Sequence, residues 1–263
     1  MTPRKPSVVL VHGAWHVPAS YAQFVTALEA NGYEVLIPHL TSTNGTKPAE
    51  GDLYTDTAQV RECIAGLVSA GKTVIALLHS YGGQVGSNAL CGLSVESRSK
   101  QGLAGGILRL IYICAFLLPE NRTLMQQAEA FVVADPNAPQ LSFAFDDQGY
   151  CTMADGRDRF INCVSDEIVA AAYMATVGPW SVKCMNQPLT HCAWKEVQVI
   201  YIHTNKDMTI PMHSQQMMVD RAKQLGLEDL EIISLDTDHS PHLSATKELV
   251  AIVNKAASQT CSV

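Results

Sequence analysis

Ser80, Asp207 and His239 occur in an order and in local settings that could make a hydroxyl reactive. A serine hydroxyl becomes a useful nucleophile only when an imidazole takes its proton, and that imidazole needs a carboxylate to fix its tautomer and stabilise its charge. Ser80 sits in His79-Ser80-Tyr81-Gly82-Gly83, between the apolar run Thr73 to Leu78 and a helix-compatible segment, Gln84 to Leu93. A strand, sharp turn and helix of this kind hold a serine in a strained backbone conformation that lifts its Oγ clear of a sheet. Small residues are needed where neighbouring backbone passes close, and Gly82 supplies one. Leu78 stands where the usual G-x-S-x-G pattern has glycine, so the serine motif is incomplete. Asp207 follows the run Val197 to Ile202, and His239 follows Leu230 to Leu235. The developing oxyanion also needs donors. His12-Gly13-Ala14-Trp15-His16 follows the first apolar run, and the N–H groups of Ala14 and Tyr81 are the expected pair, helped by the positive end of the helix after Ser80.

Each assignment has a rival. His242 lies three residues beyond His239 but farther from the strand end, and Asp166 or Glu167 could replace Asp207 only by reaching in from elsewhere. Asp236, Asp238, His239 and His242 suit a divalent ion by type, yet no second ligand pair at helical or hairpin spacing accompanies them. His12 and His16 lack the helix-borne H-E-x-x-H arrangement, which leaves structural roles beside the oxyanion loop. Gly66-Leu67-Val68-Ser69-Ala70-Gly71-Lys72-Thr73 matches a phosphate-loop pattern letter for letter, but its order is reversed. A phosphate loop leaves a strand and opens a helix, whereas here a helix ends at Gly71 and a strand begins.

Strand-length apolar runs at Val8 to Val11, Tyr33 to Ile37, Thr73 to Leu78, Leu108 to Ala115, Val197 to Ile202 and Leu230 to Leu235 must position these residues. They are apolar on consecutive residues, as strands covered on both faces are. Tyr21, Val25 and Leu28, and then Val60, Ile64, Leu67 and Val68 after Asp56, form helical stripes between them. The alternation predicts an α/β fold with a mostly parallel sheet of about six or more strands and helices on both faces. Ser80, Asp207 and His239 then share the carboxyl edge, where open α/β folds place their sites. Between about residues 119 and 195 the alternation lapses into short helical patches such as Asp166 to Met174 with no convincing strand, which predicts a lid inserted into a core of residues 1–118 and 196–263.

Composition limits the partners. Lys plus Arg number 18 against 25 Asp plus Glu, a net charge of −7, which disfavours nucleic acid. At 47% apolar and 16% charged, the chain can bury a large core. Its eight cysteines include no C-x-x-C pair and read as free buried thiols. Ser7 to Val11 is too short for a signal-peptide core, and Ile107 to Leu118 is too short for a membrane span and contains Arg109. A cytoplasmic protein with no membrane partner is expected, and assembly as a homodimer stays open.

His12-Gly13-Ala14-Trp15-His16, His79-Ser80-Tyr81-Gly82-Gly83, Asp207 through Ile210-Pro211 and His239-Ser240-Pro241-His242-Leu243-Ser244 together resemble the α/β-hydrolase superfamily. More narrowly they look like its plant methylesterase and hydroxynitrile lyase branch and that branch's fungal relatives in secondary metabolism. The resemblance implies a serine esterase or lactonase with a lid, no cofactor and no metal, acting on a small molecule. Cyanohydrin cleavage in the lyase subgroup uses a lysine directly after the histidine, where this chain has Ser240. Met125, Phe131, Phe143, Phe145, Tyr150, Met153, Met174, Trp180 and Met185 in the lid region would suit an apolar or aromatic substrate, though core packing explains most of them more simply. Carbon–carbon bond hydrolysis, a cyclising acyl transfer, or slow-turnover reception of a ligand would use the same parts.

Overall fold

The computed structural model describes residues 5–136 and 141–258. In chain order the elements are β1 (Ser7–Val11), α1 (Ala22–Ala30), β2 (Val35–Leu36), α2 (Leu53–Ser69), β3 (Thr73–His79), α3 (Gly82–Ala89), α4 (Val95–Ser99) and β4 (Gly106–Ile113). Next come α5 (Leu124–Ala134), β5 (Phe143–Phe145), β6 (Tyr150–Met153), α6 (Gly156–Phe160), α7 (Glu167–Met174) and β7 (Trp180–Ser181). The chain then returns through β8 (Val199–Thr204), α8 (Met212–Gln224), β9 (Leu230–Leu235), α9 (Pro241–Ser244) and α10 (Thr246–Ser258).

Six strands form one sheet in the order β2-β1-β3-β4-β8-β9, and every pairing within it is parallel. Alternate residues of its central strands point to opposite faces, so each strand feeds two cores. Val9, Val11, Ala76, Leu78, Tyr112 and Tyr201 pack beneath α2, α3 and α8. Val8, Leu10, Ile75, Leu77, Ile111 and Ile202 pack against α1 and α10. Val11 pairs with Leu78, Leu78 with Tyr112, Ile113 with Ile202, and Thr204 with Leu235. This register brings the carboxyl ends of β1, β3, β4, β8 and β9 to one edge.

Several sequence expectations need correction. The run Tyr33 to Ile37 yields only the two-residue edge strand β2. The Leu230 to Leu235 strand has the expected bounds, but it lies at the other edge and alternates in burial rather than being covered on both faces. α2 begins before Asp56, because Asp52 caps it by accepting from the Tyr54 and Thr55 N–H groups. Residues 119–195 do contain strands: β5, β6 and β7 form a small antiparallel sheet whose strands are only two to four residues long, too short for a hydrophobic period to register. The phosphate-loop look-alike is the end of α2 followed by β3, with Gly71 at φ +75°. Of the cysteines, Cys163 is exposed and Cys63 and Cys91 are half-buried, while Cys114, Cys151, Cys184 and Cys192 are buried; all seven are free, and Cys261 lies outside the described residues. Among the described residues no helix is long and apolar enough to cross a membrane.

Asp52 also accepts from Gln187 Nε2, while Gln187 Oε1 accepts from the Leu53 N–H, so one cap ties α2 to the chain leading into β8. Replacing Asp52 with Ala removes the cap and that tie, and is expected to lower the free energy of unfolding by about 1–2 kcal/mol. An unchanged urea midpoint would contradict it.

Candidate active site

β3 delivers Ser80 into a left-handed conformation, φ +54°, which costs a non-glycine residue on the order of 1–2 kcal/mol. The surrounding backbone enforces it. The Ser80 N–H donates to Ile113 O at 3.2 Å, and the Ser80 carbonyl accepts from the Phe116 and Gly83 N–H groups, each at 3.0 Å. Trp15 (φ +64°) after β1 and Cys114 (φ +38°) after β4 are strained in the same sense, so this sheet edge concentrates unfavourable backbone, as functional sites do. A Cβ on Gly82 would lie 2.1 Å from Val11 O, which is the close backbone passage expected beside the serine.

Leu78, at the position where a glycine was missing, is accommodated from across the turn. A Cβ on Gly86 of α3 would fall 2.4 Å from Leu78 Cδ2, so the absent side chain at residue 86 gives the leucine its space. The interior helical glycine was the signal, and its meaning depends on a contact that sequence spacing does not reveal.

Asp207 and His239 meet as anticipated. His239 Nδ1 lies 2.8 Å from Asp207 Oδ2, and both side chains are buried. The carboxylate accepts further hydrogen bonds from the Thr209 and Ile210 N–H groups, Thr204 Oγ1 and Gln215 Nε2. Gln215, on α8, was not foreseen; a glutamine on a helix carries no sequence mark of this duty. Neither Asp166 nor Glu167 competes: Asp166 caps α7, and Glu167 pairs with Arg157. Because Asp207 holds Nδ1, the Nε2 nitrogen of His239 is the one left free of this carboxylate. Among the described residues no hydrogen bond joins it to Ser80 Oγ. Hydrogen bonds of this kind often tighten only when substrate is bound.

The loop from His12 to His16 packs directly on the serine. A Cβ on Gly13 would lie 3.1 Å from Ser80 Cβ. Ala14 and Tyr81 line the same cavity as Ser80. The loop is braced by two buried imidazoles. The Leu40 N–H donates to His12 Nε2 at 3.2 Å, which leaves Nδ1–H to donate to Gly13 O at 2.9 Å. His16 Nδ1 donates to Ala14 O at 2.7 Å, and its Nε2 accepts from the Tyr173 hydroxyl at 2.6 Å. Burial pushes His12 from 6.5 down to about 4 and His16 to about 3, and holds His79 and His242 well below their ordinary range. Asp56, buried in α2, accepts from the Tyr81 hydroxyl and the Ser42 N–H, and burial lifts its carboxyl to about 6.

The cavity above Ser80 measures about 490 Å³. Met125, Phe131, Phe143, Trp180 and Met185 line it, and among the described residues exposed Glu129 is the one charged lining residue. The other members of the apolar group lie elsewhere. Phe145 is exposed, Met153 belongs to the core, and Tyr150 donates to Thr46 O.

The suspected metal ligands do not converge. Asp236 is exposed and paired with Lys206, while Asp238 accepts from the Cys163 and Ser240 N–H groups and from Ser244 Oγ. His242 packs its ring on Tyr21, with centroids 4.2 Å apart. Among the described residues His79, Cys114 and His239 come within ligand distance of one another, but both nitrogens of His79 are already hydrogen-bonded.

A strained serine, a buried carboxylate–imidazole pair and a braced loop on one parallel sheet edge are the arrangement of an α/β hydrolase, and the chain belongs to the Alpha/beta hydrolase family, which it matches over residues 8–252. It is 29% identical over 262 residues to the protein named Alpha/beta hydrolase nvfD from Aspergillus novofumigatus, with 98% of this chain and 99% of that one covered. In fold it is similar to a pyrethroid hydrolase from Sphingobium faniae, with a TM-score of 0.71, 23% identity, and 98% and 99% of the two chains covered. It is also similar to tomato methylketone synthase I, with a TM-score of 0.74, 14% identity, and 97% and 98% covered.

Gly82→Ala must push β1 away from the serine turn, and is expected to lower both the thermal midpoint and activity; retention of both would remove the steric constraint. His12, His16, His79 and His242 make a second prediction. They stay neutral when folded and take up protons on unfolding once pH falls below 6.5, so their contribution is intact above that value and is lost through about pH 4 and pH 3. Each histidine contributes a slope of about 1.4 kcal/mol per pH unit in that window. Asp56, protonated more readily when folded, opposes one of them between pH 3.8 and about 6. Urea midpoints are therefore expected to fall steadily from pH 6.5 to about pH 4.5, and a flat profile would contradict neutral burial.

Proposed function

We propose that this chain is a serine hydrolase that cleaves an ester or lactone of a mostly apolar small molecule through an acyl-enzyme. The observation that carries it is the buried 2.8 Å contact between Asp207 and His239, on the same sheet edge as a strained serine that opens onto an apolar cavity. Ser80 Oγ attacks the carbonyl and passes its proton to His239 Nε2. Asp207 keeps Nδ1–H oriented and stabilises the imidazolium. The N–H groups of Ala14 and Tyr81 receive the oxyanion; among the described residues neither is paired with another acceptor, which supports this role. Each such donor typically contributes about 100- to 1,000-fold in rate. His239 then protonates the leaving group, and water attacks the acyl-serine with His239 as base.

Residues 119–195 serve as the lid in this scheme, supported by Met125, Phe131, Phe143, Trp180 and Met185, which are among the residues they contribute to the lining of the cavity that Ser80 also lines. The four motif segments support placement in the plant methylesterase and hydroxynitrile lyase branch with its fungal relatives, and Ser240 argues against cyanohydrin chemistry. Free thiols support a reducing, cytoplasmic setting.

A fluorophosphonate probe is expected to label the wild-type protein once, on Ser80, and to leave Ser80→Ala unlabelled. The same substitution is expected to lower kcat on short-chain and aromatic esters by about 10⁴-fold or more. Equal labelling of the two proteins would overturn the assignment. Hydrolysis in isotopic water must place solvent oxygen in the acid product, which a cyclising transfer would not do.

A further inference from the structure

We propose that Tyr21 and His79 are positioning residues: their side chains form a one-directional hydrogen-bond strut that holds the oxyanion loop, the serine turn and the histidine loop in mutual register. The inference rests on the serine-hydrolase reading above. Three short contacts define the strut. The Gly13 N–H lies 3.0 Å from the Tyr21 hydroxyl, that hydroxyl lies 2.6 Å from His79 Nδ1, and His79 Nε2 lies 2.8 Å from the His239 carbonyl.

The direction of every proton follows from the chemistry of the partners. A carbonyl oxygen only accepts, so His79 Nε2 carries hydrogen and donates to His239. Burial among His16, His239 and His242 keeps the His79 ring neutral. Its Nδ1 is therefore a bare lone pair, which accepts from the Tyr21 O–H. With its hydrogen spent in that direction, the Tyr21 oxygen receives the Gly13 N–H. No donor is left facing a donor, and none of the three bonds can reverse without breaking another.

What the strut joins gives it its purpose. Gly13 precedes Ala14, the expected oxyanion donor, and His79 precedes Ser80. The carbonyl at the far end belongs to His239 itself and also accepts from Cys114 Sγ at 3.3 Å. Thus three segments far apart in sequence, linked by contacts spanning 58 and 160 residues, are joined at the backbone atoms adjoining the reacting groups. Both side chains are almost wholly buried, which shields the bonds from competing water. Neither side chain is among the residues lining the cavity.

Tyr21→Phe deletes one oxygen and keeps the ring. Relative to wild type it is expected to lower kcat on a p-nitrophenyl ester by on the order of 10- to 100-fold with KM within about twofold, and to slow fluorophosphonate labelling of Ser80 by a similar factor. A purely structural role would lower stability and leave kcat of the folded protein unchanged. A folded Tyr21→Phe protein with wild-type kcat and labelling rate would overturn the proposal. The wild-type protein supplies a test that no folding failure can obscure: ¹⁵N chemical shifts of its histidines are expected to report His79 as the Nε2–H tautomer, and an Nδ1–H tautomer would refute the strut. If wild type is itself not labelled on Ser80, the hydrolase reading fails; if it is labelled and Tyr21→Phe labels equally fast, only the strut fails.

Discussion

A buried carboxylate is costly unless its lone pairs are filled, and Asp207 fills its own with two backbone N–H groups, a threonine hydroxyl, a glutamine amide and the imidazole of His239. The remainder of the site depends on this one satisfied anion. It selects the nitrogen that His239 presents, and because its donors come from β8, the following loop and α8, it also binds the strand ends into a fixed spacing. The parallel register does the rest, since strands that end level with one another must deliver their loops to one place.

Around that anion the protein sets polar groups that are buried yet neutral. His12 and His16 use both ring nitrogens, and in each the proton direction is dictated by a backbone group that cannot change roles. Neutral rings carry geometry without adding positive charge beside His239, the residue given the base's role in the proposed reaction. The arrangement makes rigidity and acid lability two aspects of the same choice, because neutrality in the fold is bought with proton affinity in the unfolded chain.

Much of this was legible in the sequence where a residue's task follows from its own neighbours. Apolar runs separated by helical stripes suffice to foresee a parallel sheet, because strands covered on both faces leave a simple mark. Ser80, Asp207 and His239 each follow such a run, so their shared edge could be inferred before any distance was known. Legibility failed where the cause is tertiary. β5 to β7 are too short to show a period, and the edge strand β9 obeys a different burial rule from its central neighbours. Leu78 looked like a flaw because its compensation, Gly86, lies on a neighbouring element. Tyr21, Gln215 and Asp56 carry no local sign of what they hold; only the folded contacts assign them partners.

The two walls of the cavity are secured very differently. Trp15 Nε1 donates to Cys151 O at 3.1 Å and the Gly178 N–H returns to Trp15 O at 2.8 Å, so the small antiparallel sheet is stitched to the loop beside Ser80. Across from it, α5 buries only Gln127 among its eleven residues. Leu124, Met125 and Phe131 of α5 are instead partly buried side chains packed against the core. Whatever occupies the cavity is thus enclosed by one wall tied through backbone hydrogen bonds to the serine's own neighbourhood and by another held through side-chain packing.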